Sequence, residues 1–205
     1  MSTPLELFIK HMDILKNEYV IVKEITKKKG EILICFDDGF KGIYDCKSYF
    51  IKNNIKVHIF LISSFIGKEN YLNKEQILDL NTYSNFTFGA HTDNHVNLGT
   101  LNKDEITSEL VTCKNKLEDL LSEEITDLCF PRGSFSNKVI ALCKEAGYNS
   151  LYSSIPGNYF SVIKKDVICR NLVQHDSPSA FKQSLNGAQN ILTKKRLKQH
   201  FNSLN

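Results

Sequence analysis

The sequence predicts an α/β fold in which a mostly parallel sheet is covered by helices. Short apolar runs alternate with segments of helical periodicity along most of the 205-residue chain, which is the pattern of repeated strand-helix units. The two longest runs, residues 32–36 and 57–62, are almost continuously apolar, as in strands that are buried on both faces. The first run ends at the turn-forming sequence Asp37-Asp38-Gly39.

The first part of the chain predicts one helix before the first strong strand. Apolar side chains recur at helical spacing between residues 5 and 15, so we expect an outer helix over residues 5–19. A basic stretch at residues 27–29 then leads into a strand over residues 31–36.

Strands and helices then alternate as far as residue 153. Further strands are predicted at residues 56–62, 86–90, 127–130 and 149–153. Helices are predicted at residues 40–53, 73–83, 102–121 and 137–146. Asn73 with Gln76 three residues later predicts a capping box, and Gly147 ends the last of these helices. Whether the sheet is open or closed into a barrel, ligands are expected at the C-terminal ends of its strands.

The end of the chain is less regular. It predicts a strand at residues 167–173, a loop at 175–178 and a basic helix at 180–201. At 205 residues the chain is expected to form one domain. Residues 1–30 are then an N-terminal helical extension, residues 31–160 the core that carries the motifs, and residues 161–205 its C-terminal completion.

Composition excludes several classes of protein. Hydrophobic residues make up 41% of the chain and charged residues 24%, which is an ordinary globular balance. The formal net charge of +3 is too small to favour nucleic acid as a partner. No run is long enough for a transmembrane helix, and no apolar secretory leader is seen. We therefore expect a cytoplasmic protein with six reduced, mostly buried cysteines. Nothing in the sequence indicates an oligomeric state.

His91 and His95 form the first candidate for chemistry. Two imidazoles four residues apart reach one side of a helical turn and could hold one metal ion. Two ordinary polar histidines in a loop are the alternative. Thr92 stands where the general base of an H-E-x-x-H zinc protease would be, so the base has to come from another segment.

Asp37 and Asp38 supply what the histidine pair lacks. One carboxylate could complete the metal site while its neighbour takes a proton from water, and two histidines with one carboxylate leave an open position for that water. Taken alone, Asp-Asp-Gly is common turn chemistry. The combination with the histidine pair, each motif following a predicted strand, favours a catalytic site.

Three segments together resemble the polysaccharide deacetylase family (the NodB-homology domain, carbohydrate esterase family 4). They are Phe36-Asp37-Asp38-Gly39, His91-Thr92-Asp93-Asn94-His95 and Phe130-Pro131-Arg132-Gly133. The ordered set covers about residues 32–157. The resemblance implies a distorted (β/α) barrel with parallel strands inside and helices outside. It also implies a divalent metal ion, with zinc expected, and hydrolysis of an acetyl group on a sugar, N-linked rather than O-linked.

The resemblance also implies roles for single residues. Asp37 would be the general base, and Asp38, His91 and His95 would be the metal ligands. The third motif would provide a backbone N–H for the developing oxyanion, that of Arg132, and would contact the substrate through Pro131 and Gly133.

Two departures from the family pattern affect these roles. The family has an arginine two residues before the motif proline, which orients the base, and an aromatic residue just after it. This chain has Cys129 and Arg132 there. We expect Arg132 or Arg170 to supply the missing positive charge near Asp37.

The late motifs of the family are also weak in this chain. It has no tryptophan, and Val173-Gln174-His175-Asp176 only partly matches the family's leucine-x-histidine. His175, held by Asp176, is the candidate general acid, with an ordinary surface histidine as the alternative.

Two other functions stay open at this point. The chain could be a catalytically impaired sugar-binding member of the fold, because the orienting arginine and the tryptophan are absent. It could also be a metal-dependent amidase acting on a non-sugar amide, whose site would look the same. A cytoplasmic deacetylase would act on an oligosaccharide or on a surface-polysaccharide precursor linked to a nucleotide or lipid.

Overall fold

A six-stranded parallel sheet organises the protein. The computed structural model describes residues 3–159, 166–174 and 176–185. The strands are β1 (Val20–Ile21), β2 (Glu31–Ile32), β3 (Ile34–Phe36), β4 (Val57–Leu61), β5 (Phe86–Ala90), β6 (Asp127–Cys129), β7 (Ser150–Tyr152) and β8 (Val167–Ile168). Strands β3 to β8 lie side by side in chain order, and all neighbours are parallel. The predicted α/β class with parallel strands is confirmed.

Helices connect the strands of this sheet. They are α1 (Leu5–Glu18), α2 (Gly42–Asp45), α3 (Lys47–Lys52), α4 (Lys74–Asn81), α5 (Lys103–Leu121), α6 (Asn137–Glu145) and α7 (Pro178–Leu185). The capping box predicted at Asn73 is present, and Asn102 forms a second one before α5. Such caps satisfy free N–H groups at the start of a helix and fix where the helix begins.

The sheet is curled, as the residues that pack on its two faces show. One face and the helices form the large core, which includes Phe50, Ile59 and Leu128. The other face forms a small cluster of Phe60, Cys129 and Tyr152. Cys35 of β3 and Ile168 of β8, from opposite edges of the sheet, both pack against this cluster. The sheet is therefore bent towards a barrel with parallel strands inside and helices outside, as the motifs implied.

Several predicted elements are interrupted in the structure. The predicted strand over residues 31–36 changes partner at Leu33, because β2 pairs with β1 whereas β3 pairs with β4. The helix predicted over residues 40–53 is two short helices that meet at Cys46. The last predicted strand is only the two residues of β8. The predicted basic helix corresponds in part to α7, and its residues from 186 onward lie outside the described part.

The first helix is more deeply packed than expected. Although we expected this helix to pack on the outside of the protein, its His11 is buried, with only 1% of the residue exposed. Its ring stacks on Phe181 of α7 at 4.3 Å, and its Nε2 lies 2.8 Å from the carbonyl oxygen of Asp176. Helix α1 thereby holds the start of α7 in place.

The cysteines and the helices agree with two further expectations. Each of the six cysteines lies in the described residues, and none of them forms a disulfide bond there. Burial raises the pKa of the Cys35 thiol to about 11, so this thiol is neutral and unreactive. In the described part of the chain, no helix has the length and apolar character needed to cross a membrane.

Candidate active site

The end of β3 places two adjacent carboxylates on the rim of the sheet. Asp38 has a positive φ of 69° and Gly39 one of 76°, so the chain turns sharply after Asp37. A Cβ on Gly39 would lie 2.7 Å from Cδ2 of Leu61, at the end of the neighbouring strand β4. Only glycine allows this close approach together with the positive φ.

The two histidines follow the end of β5 and meet through a loop. Thr92 and His95 have φ values of 64° and 57°, so residues 91–95 do not form the helical turn we expected. The two rings still come together, with centroids 5.0 Å apart. The N–H of His91 donates to the carbonyl oxygen of Leu61 at 2.8 Å, which ties this loop to the strand that also supports Gly39.

Asp38, His91 and His95 bring three potential ligand atoms together. Oδ1 of Asp38 lies 3.5 Å from Nε2 of His91 and 3.4 Å from Nε2 of His95. Two ligands of one tetrahedral zinc ion, each at 2.0–2.1 Å, would be about 3.4 Å apart. Within the described residues, Oδ1 of Asp38 is buried and accepts no hydrogen bond, and a buried carboxylate oxygen without a partner is costly. The donor set therefore fits a divalent cation.

The orientation of His91 is fixed by a backbone carbonyl. Its Nδ1 lies 2.7 Å from the carbonyl oxygen of Cys129, and because that oxygen can only accept, Nδ1 carries the proton. Nε2 then presents a lone pair to Asp38 and His95. Burial lowers the pKa of His91, against an opposing effect of Asp37, so the ring is neutral, as a metal ligand has to be.

Asp93 anchors the loop between the two histidines. Its Oδ1 accepts hydrogen bonds from Oγ of Ser63 at 2.5 Å and from Nζ of Lys116 at 2.8 Å. Asn94 is held by Glu109 of α5 through its backbone N–H and its side-chain amide. These contacts join the ligand loop to α5 and to the segment after β4.

Asp37 is paired with Arg170, and not with Arg132. Nη1 and Nη2 of Arg170 donate to the two carboxylate oxygens of Asp37, each at 2.8 Å. The side chain of Arg132 is exposed and makes no ion pair with Asp37. Of the two arginines that we expected to supply a positive charge near Asp37, Arg170 is the one that lies there. Burial acts to raise the pKa of the Asp37 carboxyl, but Arg170, with smaller effects of His91 and Cys129, outweighs burial and lowers this pKa, so Asp37 is ionised.

The third motif follows β6 and lies beside the histidine loop. Arg132 has a φ of 57° and Gly133 one of 66°, so the chain turns just after Pro131. A Cβ on Gly133 would lie 2.6 Å from Oγ of Ser154. In the part of the chain that the structure describes, the N–H of Arg132 donates to no carbonyl or side chain. Among the described residues it is therefore a donor without a partner, on the rim.

The two remaining histidines of interest lie elsewhere. His175 lies outside the described residues, so its predicted role is untested. His58 lies inside the sheet as a buried residue, and its Nδ1 lies 2.7 Å from Oγ1 of Thr87. Its Nε2 is buried without a hydrogen bond from the described residues, 3.6 Å from Oδ2 of Asp127.

One aromatic pair lies on the same rim and was not singled out from the sequence. The ring of Phe40 is 43% exposed and stacks on Tyr71, with centroids 4.9 Å apart and an angle of 24° between the planes. Phe40 directly follows Gly39, and backbone hydrogen bonds from Lys41 to Asn70 and from Leu72 to Gly39 fix the pair. Phe40 is one of the large hydrophobic residues that are exposed in the described part of the chain.

The comparison with known protein families assigns the chain to one of them. The sequence profile of the family described as polysaccharide deacetylase matches residues 24–151, more than half of the chain. The chain belongs to the polysaccharide deacetylase family. The matched range contains Asp37, Asp38, His91, His95 and the third motif, but it ends before Arg170.

Curated relatives of this polysaccharide deacetylase are distant and longer. YxkH of Bacillus subtilis, named as a candidate polysaccharide deacetylase, is 27% identical over 134 residues, which are 64% of this chain and 48% of YxkH. An uncharacterised protein of Geobacillus stearothermophilus is 26% identical over 69% of this chain and 52% of its own length. The chain spans about half the length of the curated relatives that it matches.

Solved structures share the fold. The Streptococcus pyogenes deacetylase PplD, solved in complex with acetate, superposes with a TM-score of 0.79 at 18% identity, over 87% of this chain and 85% of that one. BC0361, a polysaccharide deacetylase from Bacillus cereus, gives 0.79 at 21% identity over 88% of this chain and 61% of that one. At such identities the likeness concerns the fold, and it confirms the curled α/β architecture.

Proposed function

We propose that this polysaccharide deacetylase hydrolyses an N-acetyl group on a sugar with the help of a divalent metal ion, with zinc as the expected ion. This proposal rests on one observation: a candidate metal site and a candidate base lie next to each other. Asp38, His91 and His95 converge within the separations of one metal site, and Asp37 lies directly beside them, held by Arg170.

The residues that would hold the ion are Asp38, His91 and His95. They supply one carboxylate and two imidazole nitrogens, which leaves at least one position open in a tetrahedral site. Such an ion would polarise the acetyl carbonyl and lower the pKa of a water molecule at the site.

Asp37 is the general base in this proposal. Its carboxylate is one third exposed, so it can reach a water molecule at the rim. Arg170 occupies one lone pair on each oxygen, and a carboxylate has further lone pairs to accept a proton. The ion pair keeps Asp37 ionised but also makes it a weak base. The pKa of the attacking water would therefore have to be lowered at the proposed metal site of Asp38, His91 and His95.

The third motif would stabilise the developing oxyanion. The free N–H of Arg132 is fixed by the turn at Pro131 and Gly133, so it needs no rearrangement during the reaction. A donor of this kind typically contributes about two to three powers of ten in rate. His175 stays the candidate that protonates the leaving amine, and Asp176 its candidate partner.

The exposed ring of Phe40 supports a sugar as the substrate. Its free face, backed by Tyr71, is a platform for the apolar face of a pyranose ring, and it lies two residues from Asp38. A surface-polysaccharide precursor, linked to a nucleotide or a lipid, or an oligosaccharide stays our predicted substrate. The cytoplasmic location also stays a prediction, which fractionation of cells that produce the natural protein tests.

Arg170 bears on one of the two rival functions. A catalytically impaired member was favoured by the missing arginine at position 129 and by the missing tryptophan, and a paired Asp37 removes the first of these reasons. A non-sugar amidase is separated from the proposal by substrate, and the test therefore includes both substrate types.

The experiment combines metal analysis with acetate release. We expect about one divalent ion per chain in the wild type, as one site predicts, and loss of the ion in the His91→Ala, His95→Ala variant. Acetate release from N-acetylglucosamine oligomers should vanish in Asp37→Asn while the ion stays. Asp79→Asn, which removes a carboxylate paired with Lys47, is the control and should change neither. A wild type that binds no metal under replete conditions, or that releases acetate only from non-sugar amides, contradicts the proposal.

A further inference from the structure

Arg170 is held by more contacts than its ion pair with Asp37. Its backbone N–H donates to the carbonyl oxygen of Ile155 at 2.9 Å, and its Nε donates to that of Ser153 at 3.1 Å. Its guanidinium lies 5.2 Å from the centre of the Phe60 ring, within cation-π distance. The side chain is therefore fixed by the end of β7 and by the floor of the curled sheet.

Cys129 lies against the same guanidinium group. Its Sγ is 2.8 Å from Nη2 of Arg170 and 3.7 Å from Oδ2 of Asp37. The side chain at position 129 thus points into the space that the guanidinium fills. A long side chain at this position would compete with Arg170 for that space, whereas a cysteine leaves it free.

The order of the strands explains how positions 129 and 170, which are far apart in the sequence, both come close to Asp37. Cys129 is in register with Tyr152 of β7, which is in register with Ile168 of β8. Arg170 comes two residues after Ile168 and approaches Asp37 from the far edge of the sheet. Position 129 approaches it from β6, where the family has its orienting arginine.

We propose that Arg170 has taken over the positioning of Asp37 from the arginine that the family carries at position 129, and that Cys129 makes room for this exchange. This inference rests on the proposed function, in which Asp37 is the base. Its basis is the joint geometry: a two-point ion pair to Asp37, a second contact to Cys129, a guanidinium held by the carbonyl of Ser153, and a backbone N–H held by the carbonyl of Ile155.

The exchange has a consequence for how the base works. A guanidinium fork fixes both oxygens of a carboxylate in one plane, which a single ammonium group cannot do. Displacing a reacting group by about 1 Å can cost roughly a hundredfold in rate. Arg170 is therefore a positioning residue, and its loss should affect turnover rather than substrate binding.

The first test removes the guanidinium group of Arg170 or replaces it with an ammonium group. We expect Arg170→Met to lower kcat roughly a hundredfold with KM within about threefold of the wild type and with metal content unchanged. Arg170→Lys should recover only part of this loss. Lys47→Met, which removes an ion pair with Asp79 between α3 and α4, is the control and should keep kcat. Wild-type kcat in a folded Arg170→Met variant overturns the inference.

The second test places an arginine at position 129 in a variant that lacks Arg170. Arg170→Ala should be as slow as Arg170→Met, and adding Cys129→Arg to it should raise kcat by about tenfold or more. Cys129→Arg in the presence of Arg170 should lower kcat, because two guanidinium groups then compete for one carboxylate. A folded double variant no faster than Arg170→Ala contradicts an exchange between the two positions. Should the double variant not fold, Arg170→Met and Arg170→Lys decide the question.

The outcomes separate this inference from the proposed function. An inactive wild type that is loaded with metal overturns both. An active wild type whose Asp37→Asn variant is inactive, together with a fully active Arg170→Met variant, keeps the function and overturns only the role of Arg170. Thermal melting and metal content of each variant show that a loss of kcat does not come from unfolding.

Discussion

Nδ1 of His91 donates a hydrogen bond of 2.7 Å to the carbonyl oxygen of Cys129, so the ligand loop after β5 is oriented by the strand β6. Because this bond directs Nε2 of His91 towards Oδ1 of Asp38, the site is preorganised. An ion that binds a preorganised site stabilises the folded state by mass action.

Metal should therefore raise the melting temperature. At a free concentration about a hundredfold above Kd, binding adds about 2.7 kcal/mol, which corresponds to a rise of roughly 5–10 °C for a domain of this size. His91→Ala should abolish the rise. Calorimetric scans with zinc and with chelator measure it. An equal rise in the variant would place the ion elsewhere.

Lys116 should contribute to metal affinity without touching the ion. Lys116→Met removes one of the two hydrogen bonds to Oδ1 of Asp93 and loosens the loop that carries both histidines. Loss of such supporting contacts typically weakens metal binding about 10- to 100-fold. Lys114→Met is the matched control on α5, because Lys114 contacts Glu118 and the carbonyl of Ile125. Competition with a chelator of known affinity measures both, and similar Kd values for the two variants would contradict the role of Asp93.

Gly133→Ala should slow the reaction while the metal stays bound. The added Cβ would lie 2.6 Å from Oγ of Ser154 and would move the turn that presents the N–H of Arg132. We expect kcat to fall by at least about tenfold and by up to a thousandfold if the donor is lost. Gly30→Ala is the control, since Gly30 also has a positive φ, of 84°, but a Cβ added there would meet no atom within 4 Å. Equal rates in the two variants would argue against the oxyanion role.

Phe40→Ala should weaken the binding of oligosaccharides. Losing one stacking contact typically costs about 0.5–1.5 kcal/mol, so KM should rise about two- to tenfold with little change in kcat. Leu78→Ala is the control, because Leu78 is 44% exposed but lies on α4. An unchanged KM for an N-acetylglucosamine oligomer would remove Phe40 from the substrate site.

Stability should fall with acid because of His58. Burial, together with Arg170 and against Asp37, lowers the pKa of His58 from 6.5 to about 4. The unfolded chain therefore takes up a proton at a higher pH than the folded protein. The stabilising effect is present above about pH 6.5 and is lost as the pH falls towards 4. The loss amounts to about 3 kcal/mol.

His58→Gln isolates this contribution. The variant should lose the part of the pH dependence between 6.5 and 4 that comes from this ring, while Asp127, whose pKa burial raises, still works in the opposite direction. Urea unfolding at several pH values measures the difference. Parallel stability curves for the wild type and the variant would contradict the assignment.

The strands and most of the site were predictable from local sequence. Apolar runs of strand length are bounded by turn residues, and the chemical residues follow them directly, so the rim position of Asp37, Asp38 and His91 follows from the pattern. The path of the histidine loop did not, because the positive φ values of Thr92 and His95 leave no signal in residue type.

Long-range partners were the part that sequence could not decide. Cys129 at the place of the family arginine indicated that another cation was needed, but two arginines qualified. Only the register of β6, β7 and β8 selects Arg170. The burial of His11 likewise depends on α7, which lies far along the chain and whose docking has no local signature.

The pairing of Asp37 with Arg170 also bears on when the protein becomes active during its synthesis. The two residues are 133 positions apart, and contacts of such separation form late, because a long loop has to close first. A nascent chain that has emerged only as far as β7 already contains Asp38, His91 and His95, but Asp37, the proposed base, still lacks Arg170. The proposed hydrolysis should therefore reach its full rate only after residue 170 has left the ribosome, and in refolding it should lag behind the formation of helices.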